Sequence, residues 1–106
     1  MHANPALAST AFLMADPARA AMLMALLDGA ARPAGELAYA AGVTAQTAST
    51  HLAKLRDGGL LQVEAQGRHR YYRLAGPQVA AALESLAALT PACLLYTSPS
   101  PRDRQK

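Results

Sequence analysis

The sequence predicts a mainly α domain that carries one β-hairpin. Three observations predict it: a capped helical run with one apolar stripe between Thr44 and Asp57, a short helical segment ending at Gly42, and two strand-like runs around Gly67-Arg68. The rest of the chain up to about Leu89 repeats apolar residues at helical spacing.

In chain order, Leu7, Ala11 and Met14 form the first apolar stripe. Pro17 suits the first turn of a second helix, where its missing N–H costs nothing. Ala20, Leu23, Met24 and Leu27 then recur at helical spacing until Asp28-Gly29 breaks the pattern, and these positions are expected in the core. Met22 and Met24 read as core filling rather than as a ligand box. Glu36 to Ala41 is a short helix, and Gly42 supplies the tight bend that lets two helices cross steeply.

The next helix is expected from about Ala45 to Asp57. Thr44 can cap its exposed N–H groups, and neither Pro nor Gly interrupts it before Gly58. At about 100° per residue, Ala48, Leu52 and Leu55 fall on one stripe, and Gln46, Thr47, Ser49, Thr50, Ala53, Lys54 and Asp57 cover the opposite side. An ordinary solvated face favours Glu, Lys and Arg, because Thr and Ser are poorer helix formers. Short hydroxyl and amide groups suit a major groove instead: Gln can bond adenine through two atoms, Ser and Thr serve either base type, and a Thr methyl can meet that of thymine. Gln46, Thr47, Ser49 and Thr50 are therefore the candidate base readers. Thr44 sits at the DNA-facing end, and His51, Lys54 and Arg56 suit phosphate. A plain surface helix with a Thr-rich face is the alternative.

Gly58-Gly59 stops that helix. Leu60 to Gln66 reads as a strand with Leu61, Val63 and Ala65 alternating against Gln62, Glu64 and Gln66; Gly67-Arg68 is a turn, and His69 to Leu74 returns. Between Ala45 and Arg73 five Lys/Arg residues face two acids, concentrated around Arg68, His69, Arg70 and Arg73. Such an arm can reach phosphates or a minor groove, or it can be a charged edge that resists aggregation. Helix, glycine bend, second helix and β-arm together make a winged helix-turn-helix. A last helical stretch, Gly76 to Leu89, carries Val79, Leu83, Leu86 and Leu89 on one stripe. The two terminal stripes exceed what so small a domain covers by itself, which leaves them for a dimer or for packing on their own domain.

These residues resemble the ArsR/SmtB-type winged-helix repressors. LMADPARAAMLMALLDG (residues 13–29) is similar to that family's opening signature, GELAYAAGVTAQTASTHLAKLRDGGLL to its helix-turn-helix, and EAQGRHRYYRL to its wing, so the resemblance covers about residues 5–90. It implies a homodimeric bacterial transcription factor that usually represses and leaves its operator when an effector binds. It carries DNA contacts onto Gln46, Thr47, Ser49, Thr50 and His51 in the helix and Arg68 and Arg70 in the wing. It also implies a dimer interface on Leu7, Ala11, Met14, Val79, Leu83, Leu86 and Leu89, and palindromic half-sites about one helical turn apart.

The chain departs from the metal-responsive members of that family. Their Cys-x-Cys pair after Glu-Leu is replaced here by Ala38, Tyr39 and Ala40, and the last helix offers Glu84 as its one ligand-type side chain. One carboxylate does not make a zinc site, so no metal and no cofactor is expected.

The segment from Cys93 to Asp103, CLLYTSPSPRD, can be encoded by a transposase-based sequencing adapter read in frame, with Arg104, Gln105 and Lys106 as translated index bases. The expectation is a DNA-binding domain over residues 1–92 and an adapter-derived, disordered tail over residues 93–106, with the native continuation missing. Without that tail the net charge drops from +3 to +1, so the argument for DNA rests on the local cluster and not on overall basicity. The tail also holds the one cysteine, which leaves neither a disulfide framework nor a thiol sensor.

No apolar run is long enough to span a bilayer and no secretory signal is evident, so a cytoplasmic protein is expected. A glycine-rich phosphate loop, a paired-carboxylate site or a nucleophile with an orienting base is not present, so no enzyme is expected. Two other functions remain open at this point: a dimerisation domain at the front of a truncated methyltransferase-like enzyme, and a protein-interaction winged helix.

Overall fold

In the computed structural model, which describes residues 5–90, the elements are α1 (Pro5–Ala15), α2 (Pro17–Ala25), β1 (Arg32–Pro33), α3 (Ala34–Ala41), α4 (Ala45–Asp57), β2 (Leu61–Gln66), β3 (His69–Leu74) and α5 (Pro77–Ala88). The adapter-like segment from Cys93 lies outside the described residues. The three strands form one antiparallel sheet in the order β1-β3-β2. With α3 and α4 ahead of the hairpin, this is a winged helix-turn-helix.

Local chemistry sets the boundaries. Asp16 caps α2 by accepting the Arg19 N–H at 3.0 Å, with Pro17 at the first helical position. Gly42 closes α3 in the left-handed region at φ 69°, and the Val43 N–H returns to the Ala38 carbonyl at 3.0 Å. Two residues later the Thr44 hydroxyl accepts the Thr47 N–H at 3.1 Å and starts α4. The helix-turn-helix bend is thus built from a backbone cap at Gly42 and a side-chain cap at Thr44, two residues apart.

At the other end of α4, Gly58 lies against α1. A Cβ there would overlap the end of the Leu13 side chain, which would have to shift to admit a larger residue.

The core lies between α2, α3, α4 and the base of the hairpin. Met22, Leu23, Leu26, Leu37, Ala48, Leu52 and Leu55 are fully buried, and Leu60, Leu61, Leu74, Val79 and Leu83 close it from the sheet and α5. Each buried Leu contributes about 1.5–3 kcal/mol relative to an exposed one. The hairpin register pairs Leu61 with Leu74, Val63 with Tyr72 and Ala65 with Arg70, so these residues share one face. Burial along that face fades from Leu61 towards Ala65, because the arm projects beyond the core.

Three expectations need correction. The buried stripe of α2 is Arg19, Met22, Leu23 and Leu26, and Met24, expected inside, is 44% exposed. Ala20, Met24 and Leu27 belong to an adjoining stripe one residue round the helix. Ala20 and Met24 from that stripe, with Leu83 and Leu86, line a surface groove. Val79 and Leu83, expected at a dimer interface, are packed into their own domain, because α5 turns that side of its stripe onto the core. β1 was not anticipated. Two residues containing a proline carry no strand periodicity, yet Arg32 and Pro33 pair with Tyr72 and Tyr71 at the sheet edge, where proline is tolerated.

Candidate nucleic-acid interface

The α4 helix buries Ala48, Leu52 and Leu55, and the same 3.6-residue period turns Gln46, Thr47, Ser49 and Thr50 outward together. All four are exposed. Their hydrogen-bonding capacity differs. The Thr44 hydroxyl donates to the Thr47 hydroxyl at 3.0 Å, and the Thr50 hydroxyl donates to the Gln46 carbonyl at 3.3 Å, one turn back. Thr50 therefore presents a methyl and acceptor lone pairs rather than a free proton. Among the described residues the Gln46 and Ser49 side chains have no hydrogen-bond partner, so a donor and an acceptor remain unused at each.

Cations sort in the same way. Arg32 pairs with Asp28 at 2.6 Å and lies 3.6 Å from Glu36, Arg56 pairs with Asp57 at 3.1 Å, and Arg73 pairs with Glu64 at 2.9 Å across the hairpin. Arg19 is buried. Among the described residues that leaves Lys54, Arg68 and Arg70 exposed without a carboxylate partner, one on α4 and two on the arm. Arg70 continues the face that holds Tyr72 and Leu74, and Arg68 occupies the turn beside Gly67. His69 shares the opposite face with Tyr71, their rings edge to face at 6.4 Å.

His51 stands apart from the other candidates. Its side chain is 17% exposed, with Nδ1 3.2 Å from Arg19 Nη1 and Nε2 3.8 Å from Asp16 Oδ2. A guanidinium carries only donors, so Nδ1 is the acceptor and the ring proton sits on Nε2, facing the carboxylate. Asp16 is held below its ordinary carboxylate value, chiefly by the Arg19 backbone N–H, with partial burial opposing it and the Arg19 charge adding to it. The sequence marked Pro17 but neither Asp16 nor Arg19. The Asp-Pro pair carries a cap signal, whereas nothing in spacing links Arg19 to a residue 32 positions away.

Leu7, Ala11 and Met14 of α1 and Leu86 and Leu89 at the end of α5 line one apolar groove of about 420 Å³. Leu7, Leu86 and Leu89 are 65%, 48% and 79% exposed, respectively. Among the described residues no group of three or more His, Cys, Asp or Glu stands together as a metal site, and no helix is long and apolar enough to cross a membrane.

The model of a helix-turn-helix domain matches residues 14–64. The chain is 49% identical over 88 residues to the uncharacterized HTH-type transcriptional regulator YdfF of Bacillus subtilis, which covers 83% of this chain but 39% of YdfF. It is 43% identical over 81 residues to the HTH-type transcriptional regulator CmtR of Mycobacterium tuberculosis, covering 76% of this chain and 68% of CmtR. CmtR is described as a cadmium metal-sensor, and its solution structure matches with a TM-score of 0.64 at 40% identity, over 77% of this chain and 84% of that one. The homodimeric winged helix-turn-helix DNA-binding domain of Mb0332 from Mycobacterium bovis, a possible ArsR-family regulator, matches with a TM-score of 0.73 at 29% identity, over 80% and 78% of the two chains.

Proposed function

The chain belongs to the ArsR-type winged helix-turn-helix transcriptional regulators, and we propose that it binds duplex DNA as a homodimer and acts as a cytoplasmic repressor that an effector releases. The observation that carries this reading is a set of exposed, unused groups: the Gln46 amide and Ser49 hydroxyl on α4, and the three cations left without carboxylates, Lys54 on the same helix and Arg68 and Arg70 on the arm that follows it. In this reading Gln46, Thr47, Ser49 and Thr50 read bases in a major groove, with Thr44 at the helix end. Lys54 and Arg56 take phosphates alongside, Arg56 exchanging Asp57 for a phosphate oxygen. Arg68, His69 and Arg70 carry the arm to the backbone or the adjacent minor groove.

The groove between α1 and α5 supports the dimer. Its exposed residues Leu7, Ala11, Leu86 and Leu89, with the half-buried Met14, form the contact, and Val79 and Leu83 hold α5 in place from beneath. We assign the molecule no catalytic role: the exposed polar groups of α4 and the arm suit recognition rather than bond-making.

Selection of bound fragments from random duplex DNA by the purified protein, followed by titration in increasing salt, tests the function. The expected result is a palindromic consensus with half-sites about one helical turn apart and an affinity that falls steeply with salt. Binding that recovers no consensus and ignores salt would return the fold to a protein-interaction role.

A further inference from the structure

Arg19 is the one buried charged residue among the described residues, at 5% exposure, and each of its three guanidinium nitrogens has a partner. Nε donates to the Leu13 carbonyl at 2.7 Å and Nη2 to the Phe12 carbonyl at 3.3 Å. Both carbonyls belong to the last turn of α1, where no intrahelical N–H reaches them and a cation meets the negative end of the helix dipole. The Phe12 ring lies 5.7 Å from the guanidinium carbon. Nη1 points the other way, to His51 Nδ1 in the middle of α4. The remaining ring nitrogen of His51 faces Asp16, whose carboxylate caps α2.

Three helix positions thus meet at one knot: the end of α1, the start of α2 and the centre of α4. The knot is tied a second time where Leu13 occupies the space a Cβ on Gly58 would need. A burial pattern alone lets a helix roll by several degrees on its apolar stripe. A directional hydrogen bond from a rigid, doubly anchored guanidinium does not.

We propose that Arg19 and neutral His51 are positioning residues for recognition: the Arg19–His51 hydrogen bond locks the roll of α4 against the end of α1, and with it the angle at which Gln46 to Thr50 meet the bases. The proposal rests on α4 being the DNA-reading helix. It removes His51 from the phosphate contacts. It also makes α1, which lines the dimer groove, part of the same rigid piece as the reading face.

The chemistry gives the two roles of His51 opposite signs. Protonation puts an N–H on Nδ1 against the Arg19 N–H, so the lock opens as pH falls; a histidine on phosphate would bind more tightly when charged. Two ionisable groups face the ring from neighbouring elements, Asp16 at the α1–α2 junction and Arg19 on α2. On α4 itself, Lys54 lies one turn on and is exposed.

The experiment compares wild type, His51→Asn, His51→Ala, Arg19→Lys and the His51→Ala/Arg19→Lys pair on the selected operator and on a scrambled duplex, by fluorescence anisotropy between about pH 8 and about pH 5.5. Asparagine places an amide oxygen near the position of Nδ1 but does not titrate, so the difference between its profile and that of wild type isolates residue 51 from His69. Operator affinity of wild type is expected to fall on acidification relative to His51→Asn. At about pH 8, His51→Ala and Arg19→Lys are each expected to lose about three- to tenfold on the operator and less on the scrambled duplex. His51→Asn should recover most of that loss, and the double variant should lose no more than either single one.

Wild-type binding that tightens on acidification relative to His51→Asn, or additive losses in the double variant, would overturn the proposal and return His51 to the phosphates. Should Arg19→Lys fail to fold, the pH difference between wild type and His51→Asn still decides. Wild type that binds no duplex at all would instead refute the DNA-binding function itself.

Discussion

Gln46 and Thr50 sit one turn apart on α4 with unequal freedom. The Gln46 amide has no partner among the described residues, whereas the Thr50 proton is committed to the Gln46 carbonyl. Gln46→Ala is therefore expected to relax sequence preference at one operator position by about 1–3 kcal/mol, with little change on other sequences. Competition binding against single-base operator variants measures this, and an equal loss on every sequence would place Gln46 on the backbone. Arg68 occupies the exposed turn of the arm without a carboxylate neighbour. Arg68→Ala should weaken binding to all duplexes and lower the slope of log K against log salt by about one.

The helices depend on their ends. Gly42 holds α3 and α4 apart through a left-handed backbone that a Cβ disfavours by about 1–2 kcal/mol. Gly42→Ala should lower the thermal unfolding midpoint, and Gly42→Asn should lower it less, because asparagine visits that region more readily. Two carboxylates bonded to nearby backbone N–H groups, the α2 cap Asp16 and the loop residue Asp28, add an acid dependence. Asp16 and Asp28 are both held below their ordinary 3.8, each mainly by a backbone N–H, of Arg19 and Ala30 respectively. A depressed carboxylate adds stability above its unfolded-state value and loses it as pH falls through the folded-state value. The melting midpoint should therefore decline below about pH 4, and Asp16→Asn, which still caps but does not titrate, should show a shallower decline.

At the scale of the whole molecule, the hairpin and α4 offer polar groups and cations, and the α1–α5 groove offers apolar surface. A twofold pairing through the groove would present two α4 helices to one duplex, as palindromic half-sites require. Leu86→Glu places a charge in the groove at a half-exposed position outside the core. Sedimentation should then show a shift towards monomer. Operator affinity should fall at protein concentrations where the wild type is paired, while binding of the isolated half-site stays close to wild type. An unchanged oligomeric state would remove the groove from the dimer contact.

What the sequence determined alone were the features whose causes lie within a few residues. Thr44, Gly42 and Gly67 carry their own hydrogen bonds and backbone angles, so the bounds of α4, the bend before it and the turn of the hairpin were legible. The stripe of Ala48, Leu52 and Leu55 was equally clear, because α4 has just one apolar side. Tertiary packing decided the rest. Two adjoining apolar stripes run along α2, and the neighbours chose Met22, Leu23 and Leu26 over Ala20, Met24 and Leu27. α5 likewise gave Val79 and Leu83 to the core and left Leu86 and Leu89 outside. The link from Arg19 to His51 has no periodicity to betray it, since a hydrogen bond across 32 residues exists only once the helices are packed.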